Sequence, residues 1–278
     1  MLHFYRIVFF VIVVFPFTEP LSAQWGWSVG YVNSTPKGSM RETIQRAHGV
    51  ALEVEYKLPK SPLAFGFELS RSNYGNLSST TEYTLEEVSD TENLDGLEQI
   101  ETSTLTVPLK VRNGFTGGNF SVKLDLLGKD ALIEPYAEAR LGLYYFSTRL
   151  SVEDPEESYS DECPKPLVSK VLSGDVSLVR GVGLGARFNI CDFFRDGPEI
   201  AEYGRFYLDF SVNYLSGGAV SYMHVDNPKP ATRQQVEAVT TDFASRAQPE
   251  IVNEYHTGYL YTSTLELVDF RVAFGTRF

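Results

Sequence analysis

The closing run Leu267-Val268-Asp269-Phe270-Arg271-Val272-Ala273-Phe274-Gly275-Thr276-Arg277-Phe278 alternates between two kinds of side chain. Taken at every second residue, one face carries Phe270, Val272, Phe274 and Phe278, and the other carries Asp269, Arg271, Gly275 and Arg277. This pattern predicts a β-strand with an apolar face and a charged face. Because strands of soluble and of membrane proteins both alternate, the other strands must show which face lies inside.

Seven further segments repeat the alternation, each close to the ~9–11 residues that a tilted transmembrane strand needs. The predicted outward faces, at every second residue, run over Trp25 to Tyr31, Val50 to Tyr56, Leu63 to Leu69, Leu105 to Val111, Ile133 to Tyr145, Val182 to Ile190, Phe206 to Tyr214 and the closing run. The sequence therefore predicts eight strands.

The alternate positions carry acidic and basic residues in equal number. They are Glu53, Glu55, Glu68, Glu134, Glu138, Asp209 and Asp269 against Lys57, Lys110, Arg112, Arg140, Arg187, Arg271 and Arg277. Glycine is also frequent there, and inside a narrow barrel it makes room for facing Tyr and Arg side chains. This face is therefore predicted to line the lumen, and the apolar face to meet lipid. Eight strands leave a bore that side chains fill, so we expect a closed salt-bridge network and not a pore.

The connections alternate between short turns and long loops. Residues 59–62 and 191–204 form the short type, whereas about 33–48, 73–101, 151–175 and 217–262 form the long type. This arrangement predicts a single eight-stranded, antiparallel, up-and-down transmembrane β-barrel with periplasmic turns and long extracellular loops. Two stretches complicate it. Asn119 to Leu127 is interpreted as an extension of a neighbouring strand or a small insertion, and Ala231 to Ala247 as a helix in the fourth loop.

The first 23 residues have the features of a secretory signal. Arg6 precedes an apolar run from Ile7 to Phe17, and Leu21-Ser22-Ala23 is an acceptable cleavage site. The run is shorter than the roughly 20 apolar residues of a membrane-spanning helix. We therefore predict a cleaved signal peptide over residues 1–23, a single barrel domain over residues 24–278, and export to the cell outer membrane.

Several short motifs resemble a known family. They are Leu105-Thr106-Val107-Pro108-Leu109-Lys110, Glu134-Pro135-Tyr136 leading to Leu141-Gly142-Leu143, Gly181 to Gly185, and the terminal Phe278. In these the chain resembles the small outer-membrane β-barrel proteins of Bacteroidota (PorT-like, or outer membrane protein beta-barrel domain), whose plan is similar to OmpA, OmpX and OmpW. The resemblance implies an outer-membrane barrel without a common catalytic residue. It also implies that Phe278 is a signal for the barrel-assembly machinery.

Charge narrows the function classes. The net charge of −12 argues against nucleic acid as a partner. Two predicted extracellular loops, Asn73 to Ile100 and Ser151 to Asp175, each carry seven acidic residues. No catalytic residue, cofactor or metal site is predicted, because His48, His224 and His256 have only common serine and acidic neighbours. The expected function is a non-enzymatic structural or surface-interaction barrel. Two alternatives stay open: a narrow transporter of small apolar molecules, and a soluble lipocalin-like carrier with the two faces reversed.

Overall fold

The computed structural model describes residues 24–59, 61–89, 99–127, 132–153, 166–190, 205–224, 235–243 and 253–278. The predicted signal peptide therefore lies outside the described residues, as do Asp90, Glu92, Asp95 and Glu98 of the first acidic loop. The described strands are β1 (Gln24–Pro36), β2 (Ala47–Lys57), β3 (Leu63–Ser89), β4 (Gln99–Asp125), β5 (Ile133–Glu153), β6 (Pro166–Asn189), β7 (Arg205–His224), β8 (Gln235–Phe243) and β9 (Asn253–Arg277). A 3₁₀ helix, Gly38–Glu42, lies between β1 and β2.

Eight of these strands form a closed barrel. Each of β1 to β6 pairs antiparallel with the next strand, β7 pairs with β9, and β9 pairs back with β1. The prediction of an eight-stranded, antiparallel, up-and-down barrel is confirmed. A path perpendicular to the strands leaves β1 at Gly26 and returns to it at Pro36, ten residues further along. Such a stagger tilts the strands against the barrel axis, typically by about 35–45°.

The two faces are arranged as the alternation predicts on seven of the eight strands. Apolar side chains are exposed on the outside of every barrel strand and form what we call the apolar belt. One member from each strand is exposed by 40% or more of its surface: Trp27, Leu52, Phe67, Phe120, Leu141, Leu184, Phe210 and Phe274. The charged positions between them are buried. A soluble carrier of the lipocalin kind would need the opposite arrangement, so that alternative is wrong.

The fourth strand differs from the prediction. Leu109 and Val111, predicted to face outward, are fully buried, whereas Arg112 is exposed and Lys110 shares its outward position. The part of β4 that completes the barrel is Gly114–Asp125, of which Gly114–Leu124 pairs with Leu63–Asn73 of β3. Apolar and polar residues alternate in both halves of this 27-residue strand. The prediction assigned the first half to the barrel wall, and its inward and outward positions were therefore reversed. The placement of Lys110 and Arg112 in the lumen is therefore wrong.

Several strands continue beyond the barrel wall at the end opposite the two termini, which we call the loop end. Asn76–Ser89 of β3 remains paired with Gln99–Arg112 of β4, so much of the first acidic loop is a β-hairpin. The predicted helix at Ala231 to Ala247 is also wrong, because its described part is strand β8. β8 pairs with Asn253–Thr262 of β9, past the point where β1 stops pairing with that strand. The open edge of β9 offers backbone hydrogen bonds that outweigh the local helical spacing.

The orientation of Leu184 gives a direct test of which face of the barrel wall contacts lipid. Replacing Leu184 by Arg is expected to destabilise the membrane-inserted barrel by about 2–4 kcal/mol, because a cation at mid-membrane on the lipid face loses its hydration. Val171→Arg is the matched control, since Val171 is equally outward on β6 but lies at the loop end, where the cost is expected to be about 0–1 kcal/mol. Denaturant titration of both variants in lipid vesicles measures the difference. Equal effects at the two positions would contradict the assignment.

Candidate functional site

The lumen holds a charged layer in the half nearest the two termini. Eight acidic and six basic side chains of the described residues are buried in it: Glu53, Glu55, Glu68, Asp125, Glu134, Glu138, Asp209 and Asp269, with Lys57, Lys123, Arg140, Arg187, Arg271 and Arg277. They come from β2 to β7 and β9, because inward positions on neighbouring strands lie side by side across the ladder. A buried charge is stable only when it is paired, so the arrangement of these groups decides whether the lumen is closed.

Glu55 lies at the centre of one part of the network. Its Oε2 atom is 3.0 Å from Lys123 Nζ and 2.5 Å from Arg187 Nη2, and its Oε1 atom is 3.3 Å from Arg277 Nη2. The Arg187 guanidinium also lies over the Tyr136 ring, 4.6 Å from its centroid. One carboxylate thus joins cations from three different strands across the bore.

Arg271 joins the other part of the network. Its Nη1 atom is 2.6 Å from Glu53 Oε2 and 2.7 Å from Glu68 Oε2, and its Nη2 atom is 2.9 Å from Asp209 Oδ2. Glu53 also forms an ion pair of 2.5 Å with Lys123 Nζ, which connects the two parts. The network therefore spans the lumen from β2 to β9 without a break.

Arg140 and Asp269 mark the upper edge of the charged layer. Arg140 Nη1 is 2.9 Å from Glu68 Oε1, and Arg140 Nε is 3.0 Å from Glu138 Oε1. Asp269 is buried but makes no ion pair with a described side chain, and its Oδ1 atom has no hydrogen-bond partner among them. At the opposite edge Arg277 Nη1 pairs with Glu134 Oε2 at 2.9 Å.

Glycines make room for the tyrosines that cross the bore. A Cβ atom at Gly185 would collide with the Tyr136 ring, and one at Gly275 would lie 2.5 Å from the Tyr207 ring. The Tyr136 hydroxyl donates a 2.7 Å hydrogen bond to Asp209 Oδ1, so the ring both fills space and satisfies a carboxylate. The interpretation of interior glycines as space-making residues agrees with this packing.

An apolar layer fills the loop-end half of the lumen. Its members are buried hydrophobic side chains in mutual contact: Met40, Ile44, Ala47, Tyr74, Phe115, Tyr144, Phe146, Val179, Leu215, Val220, Tyr222, Tyr261, Leu265 and Leu267. Met40 and Ile44 belong to the β1–β2 connection, which folds inward at the 3₁₀ helix. Thr43 anchors that connection through a 2.7 Å hydrogen bond between its hydroxyl and the Tyr222 hydroxyl. Sequence reasoning missed this layer because it placed the whole connection outside the barrel.

The predicted lumen residues fall into two groups. Glu53, Glu55, Glu68, Glu134, Glu138, Arg140, Arg187, Asp209, Asp269 and Arg271 lie in the charged layer, whereas Lys110 and Arg112 do not. Lys123 and Asp125 take the places predicted for the latter two. Lys57 Nζ is 2.5 Å from Asp125 Oδ2. The alternation of apolar and polar residues from Asn119 to Asp125 could have predicted this pair, because this segment lies directly beside β3.

Phe278 lies at the terminal end with its side chain exposed by 63%. Its backbone N–H donates a 2.9 Å hydrogen bond to the Trp25 carbonyl, which holds the last residue against the first strand. Its role in assembly stays a prediction.

The histidines do not form a catalytic arrangement with serine in the described part of the chain. His48 lies on the outer face, where its Nδ1 atom is hydrogen-bonded to the Tyr31 hydroxyl and its ring stacks against that of Tyr31, whereas Ser34 is buried in the lumen. The side chains of His224 and His256 are outside the described residues. No cluster of three potential metal ligands occurs among the side chains that the structure describes. None of the described helices is long and apolar enough to cross a membrane.

Comparison with known proteins gives likeness to solved structures at low sequence identity. No protein-family model matches the sequence, and no curated protein matches it. The chain is similar in structure to Neisserial surface protein A (TM-score 0.37, 12% identity, 92% of this chain and 96% of that one). It is similarly related to the attachment invasion locus protein Ail of Yersinia pestis (0.40, 12%, 92% and 99%) and to a major outer membrane protein of Thermus thermophilus (0.40, 13%, 91% and 99%).

Arg140 provides a test of the charged layer. Replacing Arg140 by Ala leaves Glu68 and Glu138 with one partner fewer in a dry site, so we expect a loss of about 3–5 kcal/mol in the free energy of unfolding. Arg112→Ala is the control, because the structure places Arg112 on the outer surface, where the expected change is within about 0.5 kcal/mol. Denaturant unfolding followed by tryptophan fluorescence measures both. A small effect at Arg140 would show that water reaches the layer.

Proposed function

We propose that this protein is an integral outer-membrane barrel whose lumen is closed and which acts, without catalysis, through its loop end. The predicted signal peptide and the resemblance to the Bacteroidota outer-membrane family support the location. Membrane lipid is then the permanent partner of the outer wall, and the barrel-assembly machinery is the partner during insertion. We propose no cofactor and no nucleic-acid partner.

One observation carries this proposal. Exposed apolar side chains on all eight barrel strands form the apolar belt, while the side chains of the charged layer on the same strands are buried inside. A soluble protein rarely exposes so large an apolar area, because its contact with water is unfavourable. A hydrocarbon environment removes that cost, and the closed backbone ladder leaves no strand edge to be satisfied in lipid.

The two layers of the lumen support a closed barrel over a transporter. The charged layer is cross-linked by ion pairs, and the apolar layer above it is filled by aromatic rings and capped by Met40 and Ile44. A groove of about 680 Å³ does exist between β4 and β7, but it lies on the outer wall, where the small side chains of Ala137 and Ala139 thin the belt. We interpret it as a lipid-filled depression and not as a route to the interior.

The charge distribution supports a role for the loop end. The charged layer has only two more acids than bases, so most of the net charge of −12 lies elsewhere in the chain. Glu82, Glu86 and Glu87 lie on the β3–β4 hairpin beyond the barrel wall. An acidic projection of this kind favours a basic partner or divalent cations outside the cell.

Fractionation with gel mobility tests the location and the assembly role of Phe278 together. We expect a compact band in the outer-membrane fraction without boiling and a slower band after boiling. Deleting Phe278 is expected to reduce the compact band, because the family resemblance assigns the terminal aromatic to recognition during insertion. Phe188→Leu, which alters another exposed aromatic residue away from the terminus, serves as the control. Unchanged levels after the deletion would remove this role from Phe278.

Conductance tests the closed lumen. The purified barrel in a planar bilayer is expected to show no steady ion current, because ion pairs and aromatic rings leave no continuous water column. Replacing residues 37–46 by a short glycine turn removes the Met40 cap but leaves the charged layer. This variant is therefore expected to stay closed. A steady current from the unmutated protein would favour a pore, and a current from the shortened variant alone would show that the cap is the only barrier.

A further inference from the structure

A basic groove lies on the outer wall at the loop-end edge of the apolar belt. Its volume is about 520 Å³, and residues of β2, β3, β4 and β5 line it. Three of the lining residues are exposed arginines, Arg71 on β3, Arg112 on β4 and Arg149 on β5. They stand on the same face as the belt, because the alternation of the strands continues past the last apolar residues.

The arginines are placed against one another. Arg112 and Arg149 are direct partners across the β4–β5 ladder, so two positive charges face each other on the same surface. Like charges in this position destabilise a sheet. Among the described side chains, no carboxylate pairs with Arg71, Arg112 or Arg149. In the lumen, by contrast, every buried arginine touches at least one carboxylate.

The described part of the chain therefore supplies no negative charge to balance the three arginines. Guanidinium groups present planar N–H donors that match the oxygen geometry of phosphate groups. Arg71 is the partner of Thr116 on β4, four residues from Arg112, which places the two basic positions about 13 Å apart along that strand. Two separated positions fit a ligand with more than one anionic group.

The surroundings of the groove favour a lipid over a soluble anion. Leu69 precedes Arg71 on the outer face of β3, and Leu143 and Tyr145 precede Arg149 on that of β5; all three side chains are more than 40% exposed. A lipid lying against the wall would place its acyl chains on this part of the belt and its headgroup among the arginines. A free phosphate would use only the upper half of the surface.

We propose that this groove binds the headgroup of an outer-leaflet lipid that carries at least two phosphates. The proposal rests on the membrane location proposed above. Arg112 and Arg149 hold one phosphate between them, so that binding removes their mutual repulsion, and Arg71 meets the second phosphate closer to the acyl chains.

Lipid binding by the refolded full-length mature chain in dodecyl maltoside, followed by native mass spectrometry, tests the proposal. The probes are lipid A with two phosphates, monophosphoryl lipid A, phosphatidylcholine and sodium pyrophosphate. Loss of a charge-assisted contact weakens binding about tenfold or more. We therefore expect lipid A with two phosphates to bind about tenfold more tightly than monophosphoryl lipid A. The combined Arg71→Gln, Arg112→Gln and Arg149→Gln variant is expected to bind lipid A no better than phosphatidylcholine. Arg180→Gln is the control, since Arg180 is an exposed outward arginine outside the groove, and it is expected to keep the affinity of the unmutated chain.

The thermal stability of the same samples gives a second measurement. Without lipid, the triple variant is expected to be at least as stable as the unmutated chain, because the Arg112–Arg149 repulsion is gone; with lipid A, only the unmutated chain is expected to gain stability. Equal binding by the triple and unmutated chains would overturn the proposal. Displacement of lipid A by pyrophosphate at equal concentration would overturn the assignment of the ligand as a lipid and identify a soluble anion as the ligand. Failure of the membrane location would appear separately, as a missing compact band in the outer-membrane fraction.

Discussion

The structure depends on one constraint: charges enclosed by a barrel wall must find their partners inside it. Eight strands with a ten-residue stagger enclose a bore that side chains fill, so there is no bulk water to solvate a lone carboxylate. Glu55 and Arg271 meet this constraint by each bonding to groups from other strands across the bore. Such bridges tie distant strands together across the lumen, which ladder hydrogen bonds between neighbours cannot do. The pairing therefore fixes the register of the barrel as well as its interior.

The same constraint explains why small and large residues alternate inside. Gly185 and Gly275 leave the space that Tyr136 and Tyr207 occupy, and these rings bring hydroxyl groups and π-faces to the buried charges. Above them the polar groups end, and aromatic rings with Met40 and Ile44 complete the filling without charges to satisfy. The lumen is thus closed by ion pairing in one half and by apolar packing in the other.

The sequence predicted the fold because period-two alternation and connection length are local signals. It could not choose between the two halves of β4, since both alternate and either is long enough to span the wall. Pro108 held a physical clue: proline lacks the N–H group that an interior strand of a closed barrel donates, which favours Gly114–Asp125 as the wall segment. The apolar cap and β8 depend on tertiary contacts. Met40 folds inward because the lumen offers an apolar surface, and β8 forms because β9 offers an unpaired edge. Neither partner is visible in the local sequence.

The inward and outward arginines of β5 differ in whether the described part of the chain gives them a carboxylate partner. On β5, Arg140 points inward and is held by Glu68 and Glu138, whereas Arg149 points outward and directly opposes Arg112. The lumen satisfies its arginines through close ion pairs, whereas no described carboxylate lines the basic groove. An outer wall whose described side chains offer these arginines no carboxylate, beside exposed leucines, is suited to a charge that arrives with the membrane.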